Sequence, residues 1–223
     1  FQRRIVLFTS LTLFSVLMYI NTFLWHGSGQ KGIISSLAFS PDYSGLYAAG
    51  SYAQSVCLYA ENEKCTQTLL DLGRMSSGVT HMRWSPCGTY LWIGGRRHPD
   101  LVCWDIRATG SELGRVTRSL NTNQRVSFDL DPWGKYLVTG SQDREILVYD
   151  TSTFELVQRR VGGPDCVNSI SFHPFCSILG LCTGQRHFTM PYQEGSDSEE
   201  EEEEEKENTD NNSDVGRENG GES

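Results

Sequence analysis

Four residues towards the C-terminal end of the chain carry side chains that bind metal ions: His173, Cys176, Cys182 and His187. Their spacing matches none of the common zinc templates, and Cys182 lies in the apolar run ILGLC. The chain has 7 cysteines, an odd number without a Cys-x-x-Cys pair. This indicates reduced thiols of a cytosolic or nuclear protein rather than a disulfide framework. We therefore predict no metal site.

A second set of residues, Gly27, Gly29 and Gly32, matches the G-x-G-x-x-G pattern of dinucleotide-binding loops. Such a loop must open a helix and be followed by an acid about twenty residues later. Here the β-branched segment IISSLAFSP follows, and positions 43–60 contain no acid. The chain also lacks the G-x-S-x-G, G-x-x-x-x-G-K-[ST] and H-E-x-x-H motifs of common enzyme classes. We predict neither an enzyme nor a bound cofactor.

The same order of residues recurs four times along the chain. Each copy has a turn with Pro, an apolar run that ends in Gly, and an apolar run that ends in an aromatic residue. The copies are LAFSPDYSGLYAAGSYAQSVCLY, MRWSPCGTYLWIGGRRHPDLVCWD, FDLDPWGKYLVTGSQDREILVYD and the shorter ISFHPFCSILGLCTGQRHF. The repeated glycines are 45, 45 and 44 residues apart: Gly50, Gly95, Gly140 and Gly184. The closing aromatics are 45 residues apart: Tyr59, Trp104 and Tyr149. This constant register indicates a tandem structural repeat.

Each copy consists of short apolar segments separated by Gly, Pro and Asp turns, which predicts antiparallel sheet. In the first copy we expect strands near 33–39, 46–50, 56–60 and 66–72. Four strands in about 45 residues, one of them ending in Trp-Asp, is the pattern of a WD40 blade. Residues 29–190 hold about three and a half such units, whereas propellers close with about four to eight. We predict an all-β, incomplete WD40 β-propeller and expect the missing blades upstream of Gly29.

Residues 191–223 form an acidic C-terminal tail. From Glu194 to Ser223 there are fourteen acids and two basic residues, whereas the rest of the chain has fourteen acids and seventeen Lys or Arg. The net charge of -9 therefore combines a slightly basic body with a strongly acidic tail. A segment so charged and so poor in apolar residues is expected to be disordered. Either it only solvates the protein, or Ser196 and Ser198, in the context SDSEEE that acidophilic kinases favour, make it a regulatory segment.

Residues 1–28 do not fit the repeat. Ile5–Trp25 is a stretch of 21 residues without charge, fifteen of them apolar, and Arg3 and Arg4 precede it. Its length and flanking charges fit a transmembrane span with the N-terminus in the cytoplasm. Two alternatives remain open. The stretch is either foreign sequence joined to the domain, such as a translated intron, or a set of buried strands.

Several segments resemble one family of WD40 proteins, the telomerase Cajal body protein 1 family. They are TNQRVSFDLDPWGKYLVTGS at 122–141, LVCWDIR at 101–107, GIISSLAFSP at 32–41 and GQRHF at 184–188. The combination of TNQR with FDLDP is much more specific than a general WD40 pattern. The resemblance covers residues 29–188, which correspond to the C-terminal half of that family's propeller, and it does not reach residues 1–28.

The resemblance implies a nuclear RNA-binding scaffold. The family recognises the CAB-box loop of H/ACA small Cajal body RNAs and, in vertebrates, of telomerase RNA. It directs these particles to Cajal bodies and supports telomere maintenance through telomerase. The implied partners are H/ACA ribonucleoprotein proteins, telomerase and Cajal-body proteins. Two other functions stay open from the residues alone: a general WD40 platform for protein interactions, and a propeller tethered to a membrane through residues 5–25.

Basic residues occur in the loops of one predicted face. In a propeller, the loop that enters the innermost strand and the loop between the second and third strands share one face. These loops contain Tyr52 and seven cations: Lys31, Arg74, Arg96, Arg97, Arg125, Arg144 and Arg186. Because phosphates bind cations and unpaired bases stack on rings or guanidinium planes, we predict that this face binds a single-stranded RNA loop. The alternative is a mildly basic, solvated surface.

Arg125 breaks the repeat. When the copies are aligned on their turn prolines, the other three have apolar, β-branched residues at this position: Ile34, Val79 and Val167. A cation at a core-type position must be paired or must reach solvent. We predict that Arg125 projects towards the basic face and contacts the RNA. The alternative is an ion pair with a neighbouring acid such as Asp129.

Two further predictions concern polar residues of the blades. Thr139 and Asp143 occupy positions where WD40 blades place a buried hydrogen-bond network. The Gly-His pair that usually precedes the first strand is missing, so we expect this network to be incomplete. His81 and His98 fall elsewhere in the repeat, and we expect both to be surface or loop residues.

Overall fold

The computed structural model describes residues 30–60, 68–70, 77–185 and 187. Every regular element in these residues is a β-strand, and the strands form three four-stranded sheets and one two-stranded sheet. Within each sheet, strands that follow one another along the chain pair antiparallel. The prediction of an incomplete, all-β WD40 propeller is confirmed, because the described residues form three blades and half of a fourth.

The first blade consists of β1 (Ile34–Phe39), β2 (Leu46–Ser51), β3 (Ser55–Ala60) and β4 (Thr68–Leu70). The second consists of β5 (Val79–Trp84), β6 (Tyr90–Gly95), β7 (Asp100–Asp105) and β8 (Gly114–Thr117). The third consists of β9 (Phe128–Leu130), β10 (Tyr136–Gly140), β11 (Glu145–Asp150) and β12 (Leu156–Val161). The half-blade consists of β13 (Val167–Phe172) and β14 (Leu179–Thr183). In the first blade, the strands lie close to their predicted positions.

The turn after each innermost strand depends on its Pro-containing sequence. In the third blade, the N–H of Gly134 donates to the carbonyl of Asp131 at 2.9 Å, and the Asp131 carboxylate accepts from the N–H of Tyr136 at 2.9 Å. Gly134 has a φ of 75° and Gly88, in the second blade, a φ of 71°. Glycine adopts this left-handed conformation without steric cost. The turn therefore reverses the chain within a few residues and starts the antiparallel second strand.

The hydrophobic core lies between neighbouring blades. Leu58 of the first blade belongs to the same buried cluster as Trp84 and Trp104 of the second. A second cluster joins Trp92 of the second blade to Phe128 of the third. Because each blade buries its faces against the next one, removal of apolar surface from water stabilises the stack of blades rather than any single sheet.

The repeated glycines permit this close packing. A Cβ atom on Gly50 would lie 2.6 Å from Cγ1 of Val79, and a Cβ atom on Gly140 would lie 2.0 Å from the carbonyl oxygen of Val167. Both valines begin the innermost strand of the next blade. The 45-residue spacing of these glycines therefore reflects contact between blades.

Some predictions fall outside the described residues: those for residues 1–28, for Arg74, for Arg186, and for the tail at 191–223 with Ser196 and Ser198. Within the part of the chain that the structure describes, no helix is long and apolar enough to cross a membrane.

Candidate nucleic-acid interface

The loop before each innermost strand and the turn between the second and third strands meet at one edge of the blades. In the first blade, the N–H of Tyr52 donates to the carbonyl of Ile33 at 3.0 Å. In the second blade, the N–H of Arg96 donates to the carbonyl of Gly78 at 2.8 Å. The predicted loops of each blade are therefore adjacent in the structure.

Loops of neighbouring blades are also linked along this edge. A Cβ atom on Gly78 would lie 2.8 Å from Cα of Tyr52. The Arg97 guanidinium donates to Oδ1 of Asn121 at 3.4 Å, and the N–H of Asn121 donates to Oε1 of Gln142 at 2.6 Å. These contacts join the three blades into one continuous edge. We call it the basic rim, and it comprises residues 30–33, 52–54, 77–78, 96–99, 119–127, 141–144 and 162–166.

Four of the predicted cations lie on the basic rim with exposed side chains: Lys31, Arg96, Arg97 and Arg144. None of the four forms a salt bridge with another residue that the structure describes. Tyr52 lies among them and is 49% exposed. The acids in these rim segments are Asp143 and Asp165, so the described rim has an excess of positive charge.

Arg125, the fifth predicted cation, is exposed and does not occupy a core position. In β1, β5 and β13 a register shift follows the first residue of the strand. The first residues of β5 and β13 are Val79 and Val167, and both are fully buried. The ladder of β9 begins only at Phe128, and the buried residue ahead of it is Val126, at 1% exposure. Because neighbouring residues of an extended chain face opposite sides, Val126 fills the core and Arg125 faces away from it.

The Arg125 guanidinium lies against His81 on the neighbouring blade. Nη2 of Arg125 is 3.4 Å from Nδ1 of His81, and Nε2 of His81 is 3.1 Å from the carbonyl oxygen of Phe128. A carbonyl oxygen only accepts, so we assign the proton to Nε2, which leaves Nδ1 to accept from the arginine. Burial, and after it the charge of Arg125, lowers the pKa of His81 to about 4. The prediction that His81 is a surface or loop residue is wrong: it lies half-buried on β5.

Asp129, which was the alternative partner of Arg125, pairs with Arg83 instead. Nε of Arg83 donates to Oδ1 of Asp129 at 2.7 Å, and the two side chains are 50% and 5% exposed. Oδ2 of Asp129 also accepts from the N–H of Phe172 at 2.9 Å and from the hydroxyl of Ser171 at 3.3 Å. This one carboxylate therefore joins the innermost strands of three consecutive blades, β5, β9 and β13.

The buried polar network of the third blade has a different composition from the predicted one. Thr139 is buried as expected, and its hydroxyl accepts from Nη1 of Arg118 at 2.5 Å. Nη2 of Arg118 donates to the carbonyl of Val126 at 3.0 Å, and burial lowers the pKa of Arg118 to about 10. Asp143 is exposed, so its predicted place in the network is wrong. Arg118 thus supplies the side-chain donor to Thr139 in this blade.

The four residues with metal-binding side chains do not come together as a site. Nδ1 of His173 accepts from the N–H groups of Phe175 at 3.1 Å and of Cys176 at 3.0 Å, which stabilises the turn between β13 and β14. Among the described residues, no three His, Cys, Asp or Glu side chains cluster closely enough to hold a metal ion.

Comparison with known proteins supports the architecture. The family model described as WD domain, G-beta repeat, matches residues 19–59 and 114–150. The chain is 40% identical over 178 residues to Telomerase Cajal body protein 1 of Homo sapiens, and this region is 77% of the chain and 32% of the human protein. The chain therefore spans about a third of the length of that relative.

More distant relatives are matched as well. A Telomerase Cajal body protein 1 homolog of Drosophila melanogaster is 29% identical over 130 residues, which cover 57% of the chain and 24% of the fly protein. Guanine nucleotide-binding protein negative regulator 1 of Schizosaccharomyces pombe is 29% identical over 181 residues, 79% of the chain and 44% of that protein. The resemblance inferred from the sequence is confirmed. The chain contains WD40 repeats and is similar, over 77% of its length, to Telomerase Cajal body protein 1.

Proposed function

We propose that this chain is part of an RNA-binding WD40 scaffold of the nucleus. In this proposal it recognises the CAB-box loop of H/ACA small Cajal body RNAs and of telomerase RNA, directs them to Cajal bodies and supports telomere maintenance through telomerase. Its partners are H/ACA ribonucleoprotein proteins, telomerase and Cajal-body proteins. The mammalian relatives are named Telomerase Cajal body protein 1, which supports this assignment.

The observation that carries the proposal is the basic rim. Lys31, Arg96, Arg97 and Arg144 are exposed along one continuous edge and form no salt bridge with another described residue. Cations that no described acid neutralises can pair with RNA phosphates, which releases counterions and makes binding depend on salt. Tyr52 adds a half-exposed ring on which an unpaired base can stack.

The test is binding of the full chain to a CAB-box stem-loop RNA, with the same stem-loop carrying altered loop bases as the reference. We expect tighter binding to the CAB-box loop. The triple variant Arg96→Gln/Arg97→Gln/Arg144→Gln should weaken binding and reduce the slope of log K against log salt by up to about 2, because each lost phosphate contact in a single strand removes about 0.7.

A matched triple variant controls for net charge. Arg107 pairs with Asp105 away from the basic rim, Lys135 is exposed in the turn between β9 and β10, and Arg160 lies on the outermost strand of the third blade. Arg107→Gln/Lys135→Gln/Arg160→Gln should leave RNA affinity within about twofold of the unchanged protein, because surface charges away from the site contribute little. If the two triple variants weaken binding equally, the basic rim is only a solvated surface.

The second candidate function, a WD40 platform for protein interactions, is favoured by a different observation. A groove of about 670 Å³ between the third blade and the half-blade is lined by the exposed apolar side chains of Trp133, Phe175 and Ile178. Exposed apolar surface of this kind is typical of protein interaction sites. This function predicts that the chain does not crosslink to RNA in cells, whereas the RNA-binding function predicts that it does.

A further inference from the structure

The innermost strands form a concave wall that is separate from the rim cations Lys31, Arg96, Arg97 and Arg144. Two cavities open on this wall, one of about 640 Å³ and one of about 410 Å³. Both are lined by His81, Arg83, Arg125 and Asp129, and the larger cavity is also lined by Asp131. These side chains come from β5, from β9 and from the rim segment just before β9. The wall therefore holds a second cluster of charge.

Asp129 holds the guanidinium group of Arg83 so that its two Nη atoms can bind a ligand. Nε of Arg83 donates to Asp129, which is held in turn by the N–H groups of Leu130 and Phe172, both at 2.9 Å. Neither Nη atom of Arg83 makes a hydrogen bond to another described residue, and the side chain is 50% exposed. Asp129 thus orients the guanidinium group and leaves its two terminal nitrogens for a ligand.

Arg125 supplies a charge that no described acid neutralises. Its Nη2 contacts Nδ1 of His81, which is a neutral acceptor because Nε2 donates to the Phe128 carbonyl. The His81 ring is fixed further by an edge-to-face contact with Phe128, with centroids 4.9 Å apart. In the smaller cavity, two guanidinium groups and one carboxylate leave one excess positive charge, so this cavity favours an anion.

The smaller cavity offers polar donors but no aromatic face on which a base could stack. Phe128 lines it but is 1% exposed, so its ring offers no face for stacking. The other lining groups include the hydroxyls of Ser127 and Ser169, which are hydrogen-bonded to each other at 3.0 Å. Guanidinium groups bind phosphate oxygens through paired N–H donors, and the Ser169 hydroxyl, which accepts from Ser127 and keeps its own proton, adds a further donor.

We propose that Arg83 and Arg125 together clamp one backbone phosphate of a single-stranded RNA segment that passes from the basic rim onto the concave wall. This inference rests on the proposed RNA-binding function and extends it, since it gives the RNA a path beyond the rim loops. His81 and Asp129 are the positioning residues of the clamp. They hold the two guanidinium groups through the contacts described above and do not touch the phosphate.

The test measures binding of a CAB-box stem-loop RNA to variants of this chain over a range of salt concentrations. We expect Arg83→Gln and Arg125→Gln each to weaken binding by about tenfold and each to lower the salt slope by about 0.7, the value for one phosphate of a single strand. Because both arginines hold the same phosphate, the double variant should lower the slope by the same 0.7 and weaken binding by less than the product of the two single effects.

Two controls separate the clamp from folding and from general charge. Arg83→Lys keeps the charge and the pair with Asp129 but loses the paired N–H geometry, so it should unfold normally and still bind RNA several-fold more weakly. Arg107→Gln removes one charge that is paired with Asp105 on another part of the second blade, and it should leave RNA affinity unchanged.

The outcomes distinguish this proposal from the one it rests on. If Arg83→Gln and Arg125→Gln bind the stem-loop normally while the rim triple variant does not, the RNA stays on the rim and the clamp is wrong. If the double variant lowers the salt slope by about twice the single value, the two arginines bind separate phosphates and the shared clamp is wrong. If the unchanged chain does not prefer the CAB-box loop, the proposed function fails and the clamp with it.

Discussion

At the residue scale, His81 is half-buried, and its two ring nitrogens contact the Phe128 carbonyl and the Arg125 guanidinium. Its imidazole lies between Phe128 and Arg125, with Arg83 and Asp129 as the other charged groups nearby. Protonation would place a second positive charge beside the Arg125 guanidinium and would end the acceptor role of Nδ1. The neutral ring is therefore part of the folded structure, and its protonation opposes folding.

This arrangement predicts a specific loss of stability in mild acid. The pKa of His81 is about 4 in the folded protein, below its ordinary value of 6.5. As pH falls below 6.5, the unfolded chain takes up the proton first, so stability present above this pH is lost between about 6.5 and 4. At pH 5 the loss from this residue should be about 2 kcal/mol, measured by urea unfolding as a function of pH.

The matched variant for this prediction is His81→Gln. Glutamine can still donate to the Phe128 carbonyl, but it does not titrate. Between pH 6.5 and 5, the free energy of unfolding of the variant should fall less than that of the unchanged protein. The remaining pH dependence should be the same, because protonation of the carboxylates affects both proteins alike. Identical profiles would show that His81 is protonated in the folded protein as easily as in the unfolded chain.

At the element scale, packing between blades depends on the absence of a side chain at the ends of the second strands. Gly140 ends β10, and the carbonyl oxygen of Val167 in β13 occupies the space where a Cβ atom would lie. The neighbouring atom belongs to the backbone of another strand, so it cannot move aside as a flexible side chain would. Only glycine allows the third blade and the half-blade to approach this closely.

Gly140→Ala should therefore destabilise the protein by about 3 kcal/mol, the upper part of the range for inserting a methyl group into a packed interior. Gly110→Ala is the control, because its Cβ atom would meet nothing within 4 Å. That substitution should be neutral or stabilise the protein by up to about 1 kcal/mol through the unfolded chain. Urea unfolding of both variants is the measurement, and equal effects would contradict the assigned contact between blades.

The elements themselves were largely predictable from local patterns. The 45-residue register, the Pro turns and the apolar runs placed the strands of the first blade close to their observed ends. The third blade differs from the expectation because β9 is a strand of 3 residues, without the register shift seen in β1, β5 and β13. Whether a strand contains such a shift depends on its pairing partner, so the alignment on Pro132 could not show it.

At the scale of the whole molecule, the half-blade exposes apolar surface. Trp133, Phe175 and Ile178 are 83%, 72% and 60% exposed beside the groove between the third blade and β14. An apolar surface of this kind favours association of protein chains. This agrees with the expectation from the repeat count, in which three and a half units do not close a ring.

We accordingly expect residues 29–190, expressed alone, to bind a hydrophobic dye or to be poorly soluble. Phe175→Asp/Ile178→Asp should reduce the dye signal by about half or more, since it places two charges in the exposed apolar groove. Ile33→Asp is the control, because Ile33 is 71% exposed but lies on the basic rim. A monodisperse protein that unfolds cooperatively and binds no dye would show that the apolar groove is covered.

The sequence by itself determined the repeat, the antiparallel blades and the loops that carry Lys31, Tyr52, Arg96, Arg97 and Arg144. These features follow from local rules: turn residues, the alternation of apolar positions, and a constant period. The tertiary structure alone decided the surroundings of Arg125, the partner of Asp129 and the donor to Thr139.

The physical reason is that these three outcomes depend on contacts between blades or on the register of a strand. Arg83 and Asp129 are 46 residues apart in the chain and meet across two innermost strands. Arg125 faces away from the core because β9 starts late and Val126 takes the buried position. No spacing within a single repeat contains that information, because it arises only when neighbouring blades are packed against each other.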